Sequence, residues 1–289
     1  MSKRSPSKAR PSISIVGPGN LGTALTLTLR AAGYEVKSLI VRPKRPLQSH
    51  TRSLARKVKA RVIALGAEPL ATDIVWITVP DDAIAGVARV LAGSQGWKGQ
   101  IVFHSSGALT SDELASLRAK GARVASVHPL MTFVRGKVPE MANVSFALEG
   151  DAAAVRTART IVGDLGASAF AIKKQNKVLY HVFGSFASPM LIALMASLEQ
   201  VARAAGIRNI KRVMLPLLLQ TLRNHLNQDA ASAFSGPLVR GDVATVCKHL
   251  DELEKLPEAK AVYVALTRAA LKLLPVRNRK ALERELKSR

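Results

Sequence analysis

The chain has 289 residues with a formal net charge of +23, 48% hydrophobic and only 4% aromatic residues, and one cysteine. That length favours two cores over one, so two domains are expected. The single cysteine excludes an intrachain disulfide and suits a reducing, cytoplasmic setting; the scarcity of aromatics argues against a base-stacking platform; and no Cys/His spacing points to a metal.

The positive charge is unevenly spread. Lys3, Arg4, Lys8 and Arg10 precede the first apolar run, residues 42–61 hold cations and no acid, and residues 277–289 are again basic. The ends, 1–11 and 277–289, read as solvated, mobile tails. No apolar stretch precedes Ser12, so the amino end does not read as a secretory signal. No nucleic-acid fold motif accompanies the charge, and no specific nucleic-acid partner is expected.

The first element is a short β-rich run (Ile13, Ile15, Val16). It leads into Gly17-Pro18-Gly19-Asn20-Leu21-Gly22, then a helical run that stops at Gly33, then a second strand ending at Val41. Strand, G-x-G-x-x-G, helix and strand within about thirty residues is the context a dinucleotide fingerprint requires. Gly17 permits the tight turn, Gly19 lets backbone approach a pyrophosphate, and Gly22 lets helix and strand pack closely. The free N–H groups and positive dipole end of the helix then face the phosphates. An NAD site usually ends the second strand with Asp or Glu; here Arg42, Lys44 and Arg45 stand where a 2′-phosphate would lie. NADP(H) is the cofactor expected from them.

A basic helix is predicted at 48–59 and a weak strand near 62–65. The apolar run 73–79 suits a parallel strand covered on both faces. Val79-Pro80-Asp81 closes it, with Asp81 and Asp82 reading first as caps of the next helix, to about 91, and then as neighbours of a cofactor ribose. A strand at 100–104 ends in Ser105-Ser106-Gly107. A helix at 110–120, a strand at 124–127 ending in His128-Pro129, a strand at 144–148, a helix at 151–165 and a short strand at 169–172 complete the alternation. This is the pattern of an α/β, doubly wound Rossmann domain over 12–172.

From 173 to 276 the pattern turns all-helical, with helices at 177–205, 210–226, 243–256 and 257–274 and kinks at Pro189 and Pro216. Residues 178–198 carry no formal charge and are long enough to span a bilayer. Their Tyr180, His181, Ser185, Ser188 and Pro189 fit a helix buried in a soluble helical domain or across a dimer better. No membrane partner is expected, and the apolar helix points to a homodimer.

Ligands in open α/β sheets lie beyond the carboxyl ends of the strands. His128 is the leading acid/base candidate, because histidine titrates near neutrality. Ser105 and Ser106 are candidates to orient substrate through hydroxyl and N–H groups, with Gly107 allowing close approach; an ordinary turn is the alternative. His104 reads as a core group. His181 faces the crevice or packs. Arg240, in the turn-rich stretch 236–242, pairs with Asp242 or anchors an anionic substrate. Cys247 reads as a small buried hydrophobe.

Taken in order, VGPGNLG, TVPDDAI, FHSSGAL, SVHPLMTF, YHVFGSFAS and GPLVRGDVATVCKHL resemble the bacterial family that pairs a Rossmann-like NADP oxidoreductase domain with a C-terminal domain of unknown function. Its broader kin are pyrroline-5-carboxylate reductase, 6-phosphogluconate and β-hydroxyacid dehydrogenases, and prephenate dehydrogenase. The resemblance implies a Rossmann domain followed by an all-helical, 6-phosphogluconate-dehydrogenase-like C-terminal domain, and a homodimer built through the helical part. It implies that Gly17, Gly19, Asn20, Leu21 and Gly22 form the pyrophosphate turn and that Val79, Pro80 and Asp81 lie beside the cofactor. Ser106-Gly107 is similar to the serine–glycine turn of β-hydroxyacid dehydrogenases, and His128-Pro129 to the His-Pro turn of prephenate dehydrogenases. Three features depart from these patterns: Leu130-Met131-Thr132-Phe133 do not continue the glycine-bearing pattern of prephenate dehydrogenases, the β-hydroxyacid dehydrogenase lysine–asparagine pair is not evident, and Ser188-Pro189 replaces a common Ser-Asn step. The expected activity is hydride transfer between NADP(H) and a small, anionic carbonyl, imine or hydroxy compound, with His128 as proton partner. The alternatives are an imine reductase of the pyrroline-5-carboxylate-reductase type and a non-catalytic NADP-sensing or scaffold protein.

Overall fold

The computed structural model describes residues 10–43 and 48–288, and the chain forms two compact units, 1–185 and 186–289. The first is built on one eight-stranded sheet of order β3-β2-β1-β4-β5-β6-β7-β8. Its strands are β1 (Ile13–Val16), β2 (Val36–Val41), β3 (Arg61–Ala64), β4 (Ile74–Ile77), β5 (Ile101–His104), β6 (Arg123–Pro129), β7 (Ser145–Gly150) and β8 (Ser168–Ala171). The first six are parallel in the order of a doubly wound dinucleotide fold. The register pairs Ile15 with Leu39 on one side and with Trp76 on the other. β7 runs antiparallel to β6, and β8 parallel to β7. That reversal is not readable from strand spacing.

The strands at the centre are apolar on both faces because helices cover both. One face packs Ile13, Ile15, Trp76 and Phe103 against Leu25 and Leu29 of α1 (Asn20–Ala31), Leu54 of α2 (Ser49–Val58) and Ile161 of α5 (Ala152–Asp164). The other packs Val75, Ile77, Val102 and Val124 against Ile84 and Leu91 of α3 (Asp81–Ser94) and Leu117 of α4 (Ala115–Ala119). The unit ends with α6 (Lys177–Ser185). A boundary near 173 was expected. The division falls later because Lys177 and Tyr180 of α6 are buried in the first unit.

The second unit is helical: α7 (Leu191–Ala204), α8 (Ile210–Asn227), α9 (Ala230–Ala233), α10 (Pro237–Arg240), α11 (Val243–Leu253), α12 (Pro257–Leu273) and α13 (Arg279–Ser288). The predicted continuous helix over 177–205 is interrupted by a π-helical stretch, Phe186–Met190, that contains Pro189. A proline cannot donate to the preceding turn, so the ladder widens there. Within the stretch 277–289, expected as a mobile tail, the described residues correct that reading: Arg279–Ser288 form α13, and Leu282 and Leu286 are buried with Val246, Leu250 and Leu271. Its charges occupy one face of an amphipathic helix, which a count of charge alone hides. Arg10, assigned to the other tail, also packs, over the Tyr34 ring at 5.1 Å and beside Asp164 at 3.5 Å.

Candidate active site

The glycine turn is built by contacts around Gly17. Its φ is +84°, and a Cβ there would lie 2.6 Å from Val79 Cγ1. A Cβ on Gly22 would meet the Gly17 carbonyl oxygen at 2.5 Å, so α1 starts as close to β1 and β4 as backbone allows. Gly19 is the N-cap of α1; no side chain caps the helix and its first turn holds no acid. A Cβ on Gly19 would meet nothing within 4 Å. The amino end therefore presents N–H groups and positive potential to open space. A cleft of about 290 Å³ borders it, lined among others by Gly17, Pro18, Gly19, Arg42, Val79 and Pro80. Gln48 and Thr51 of the α2 entrance line it too, residues that sequence reading did not single out. These features suit a dinucleotide's pyrophosphate and a phosphorylated ribose. Leu21 packs into the core and the Asn20 amide donates to the Phe133 carbonyl at 3.1 Å, so these two offer backbone rather than side chains. Lys44 and Arg45 lie outside the described residues.

A run of contacts joins this cleft to the other strand ends. Asp81 begins α3, but its side chain caps nothing there. Instead its Oδ2 accepts a 2.8 Å hydrogen bond from the Ser106 hydroxyl. Ser106 Oγ also accepts from the N–H groups of Ala108 and Leu109. Ser105 Oγ accepts from Trp76 Nε1 at 2.8 Å. Both serines are buried. The Ser106 hydroxyl is thus engaged as donor and as acceptor inside the protein, whereas the Ser105 hydroxyl is engaged as an acceptor. His104 is fully buried, with Nε2 against the Thr110 carbonyl and Nδ1 accepting from Ser106 N–H, the core role expected of it.

Gly107 is the pivot. A Cβ on it would lie 2.7 Å from His181 Cδ2 and 2.9 Å from His128 Nε2, so the two imidazoles approach the turn as only glycine permits. His128 stands near the end of β6, half-buried, and its Nδ1 is 2.7 Å from the Tyr180 hydroxyl oxygen. Beneath this group Lys177 is fully buried. Its ammonium donates to the Ser106 carbonyl at 2.9 Å and to the Ser126 hydroxyl at 2.5 Å. Burial lowers its pKa to about 8, against the pull of Glu149 and Asp81. Burial first, then the Lys177 charge and the rings of His181 and His104, push His128 down to about 4. The lowering favours the neutral ring and moves His128 away from the neutral range expected of a free imidazole.

Lys177 and Tyr180 were missed. The signal was their spacing: Lys177, Tyr180 and His181 sit at i, i+3 and i+4 of one helix and share a face. The uncharged run that drew attention begins one residue after Lys177. Arg240 is exposed at the end of α10 in the second unit, where its charge helps lower the Asp242 pKa; the hydrogen bonds from Thr245 to that carboxylate lower it more. Among the described residues no cluster of His, Cys, Asp and Glu could hold a metal.

The chain matches the family described as a Rossmann-like domain over residues 3–129 and the family described as domain of unknown function DUF2520 over residues 144–270. A comparison with curated protein sequences finds no match. Among solved structures, a presumed NADP oxidoreductase of Bacteroides fragilis superposes with a TM-score of 0.74 at 20% identity, covering 90% of this chain and 97% of that one. A Thermotoga maritima protein gives 0.67 at 22% identity, covering 96% and 98%. The pyrroline carboxylate reductase of Plasmodium falciparum, solved with NADP bound, gives 0.60 at 14% identity, covering 96% of each chain. At these identities the likeness establishes the fold.

Proposed function

We propose that this chain, a member of the family that joins a Rossmann-like domain to DUF2520, is an NADP(H)-dependent oxidoreductase acting on a small, anionic carbonyl, imine or hydroxy compound. The observation that carries the reading is the uncapped amino end of α1 behind Gly17 and Gly19, opening on the cleft that Arg42 lines. Gly17, Pro18 and Gly19 hold the pyrophosphate there, with the N–H groups of Asn20, Leu21 and Gly22 directed along the helix axis. Arg42 meets the 2′-phosphate, and Val79 and Pro80 border the cofactor on the side from which Asp81 leads to Ser106. Bound in this cleft, NADP(H) supplies or accepts hydride. The presumed NADP oxidoreductase and the NADP-bound reductase among the structural neighbours support this reading. The lone Cys247 agrees with a cytoplasmic setting.

The protein's own groups prepare the substrate. His128 and His181 pack on Gly107, 2.9 and 2.7 Å from where a Cβ on it would stand, and are the side chains assigned here to the substrate. The buried Lys177 fixes the turn through the Ser106 carbonyl and adds positive potential suited to an anion. The test is NADPH consumption across a panel of small anionic carbonyls and imines, and NADP reduction across hydroxy acids. His128→Asn should lower turnover about 100- to 1,000-fold, the weight of one donor at a developing oxyanion, while NADPH affinity stays within a few fold. Intact NADPH affinity with no turnover across the panel would favour the sensor or scaffold alternative.

A homodimer through the second unit is part of the proposal. Leu215, Leu217, Leu222 and Leu226 of α8 and Ile192 of α7 are exposed, a larger apolar display than a monomer usually leaves in water.

A further inference from the structure

The second unit holds a groove and a helix of matching pattern. The groove, of about 680 Å³, lies between α7 and α12 beside the end of α11. Its wall along α7 and the residue that caps it is Leu194, Leu198, Val201 and Ala205, at i, i+4, i+7 and i+11. Its wall along α12 includes Ala259, Tyr263 and Leu266, at i, i+4 and i+7. Leu198, Val201 and Leu266 line it and are still 38%, 39% and 51% exposed.

The spacing recurs on α8. Leu215, Leu219, Leu222 and Leu226 fall at i, i+4, i+7 and i+11 and form one stripe. They are 41% to 81% exposed, and no residue of α8 is buried. Eleven residues of helix rise about 16 Å, so the leucine stripe and the α7 wall have the same length. Steps of four and three in alternation are those at which helices seat knobs into holes. Charge agrees as well. α8 carries Lys211, Arg212 and Arg223 and no acid. Where α11 gives way to α12, residues 251–260 hold Asp251, Glu252, Glu254 and Glu258 against Lys255 and Lys260, and Glu252 lines the groove.

A small polar ligand fits the groove less well than a helix does. Ligand sites set a few convergent polar groups among apolar ones. Here the polar side chains of the lining have partners in the chain. The Ser197 hydroxyl donates to the Ala193 carbonyl, His249 Nδ1 and the Tyr263 hydroxyl are 3.0 Å apart, and Glu252 pairs with Lys255 at 3.1 Å. What the groove leaves unmet is apolar surface, and the same is true of α8.

We propose that α8 of a second copy seats its Leu215–Leu226 stripe in the groove between α7 and α12, and that the exchange is reciprocal. The same contact then occurs twice about a two-fold axis and closes the pair, with both stripes covered and none left for a third chain. This deepens the homodimer proposed above and is independent of the cofactor.

The experiment separates the dimer from its geometry. Leu222→Lys alters the helix and Leu266→Glu alters the groove. Each alone damages both joints of a pair, so each should raise the dimer dissociation constant about 100-fold or more. An equimolar mixture of the two variants should recover association, because a mixed pair keeps one unmodified joint and sets Lys against Glu in the other. Circular dichroism melts show whether each variant is folded. Photo-crosslinking gives a second readout in the unmodified background. With p-benzoylphenylalanine placed at Leu222 and exchanged ¹⁵N-labelled and unlabelled chains, the crosslinks should join the two isotopes and fall within 194–205 or 256–266. Crosslinks confined to one chain or falling elsewhere, or a mixture no more associated than its components, would overturn the exchange. So would a dimer that binds an apolar dye which Leu266→Glu excludes, since the groove would then be open to a small ligand. An unmodified chain that stays monomeric would overturn the homodimer itself.

Discussion

The Lys177 ammonium and the Ser106 carbonyl oxygen stand 2.9 Å apart in a setting closed to solvent, one turn of α6 below Tyr180 and His181. A cation there fixes the turn that carries Gly107, and its field reaches both His104 and His128. Lys177→Met removes the field and leaves the Ser106 carbonyl and the Ser126 hydroxyl short of a donor. The His128 pKa should rise from about 4 toward the ordinary imidazole value without reaching it, since burial remains its larger cause. Unfolding free energy should fall by about 1–3 kcal/mol for the unpaired polar atoms. NMR titration of the His128 ring checks the first part; an unchanged pKa would show that the charge is not felt.

The same shifts set an acid response. His104 and His128 are both lowered to about 4, while in the unfolded chain they titrate at the ordinary value of 6.5. Between those values the unfolded chain holds more protons, so stability is fully present above about pH 6.5 and declines as pH falls toward about 4. Carboxylates held low, such as Asp73 and Asp112, add their own loss near the bottom of that range. The discriminating quantity is the difference between proteins: a plot of Tm against pH from 7 to 4.5 should be shallower for His128→Asn than for the unmodified chain. Parallel curves would contradict the burial argument.

The first Rossmann half was largely legible in the sequence. Gly17, Gly19 and Gly22 carry a backbone requirement in their identity, and the apolar strand at 73–79 shows its two-sided burial as an unbroken run. What escaped depends on partners remote in sequence. Ser105 and Ser106 look available until Trp76 and Asp81 are seen to take their hydroxyls. His128 looks like a neutral-range acid until its burial is seen, to which the charge of Lys177, 49 positions later in the numbering, adds. Leu282 and Leu286 look like parts of a charged tail until α11 and α12 supply the surface they cover.

Gly22→Ala tests the turn itself. The added Cβ would lie 2.5 Å from the Gly17 carbonyl oxygen and 2.6 Å from Thr78 Oγ1. The first contact is with backbone, so the helix must back away from the turn. Expected are a destabilisation of about 1–3 kcal/mol, in the range of overpacking, and a tenfold or greater loss of dinucleotide affinity. A variant with unchanged Tm and affinity would mean the turn is looser than described.

Association should hold at micromolar concentration. Light scattering is expected to return twice the 30.9 kDa chain mass, and Leu217→Lys with Leu222→Lys, both exposed on α8, should shift the species toward monomer. A 30.9 kDa particle for the unmodified protein would contradict the dimer.

Cofactor binding is the account's central claim, and calorimetric titration of the full chain with NADPH and with NADH tests it most directly. A guanidinium positioned at the 2′-phosphate contributes roughly 1.5–3 kcal/mol. NADPH should therefore bind about 10- to 100-fold more tightly than NADH, and Arg42→Asp should narrow or reverse that gap. Equal affinity for the two, tighter NADH, or no binding of either would contradict the account.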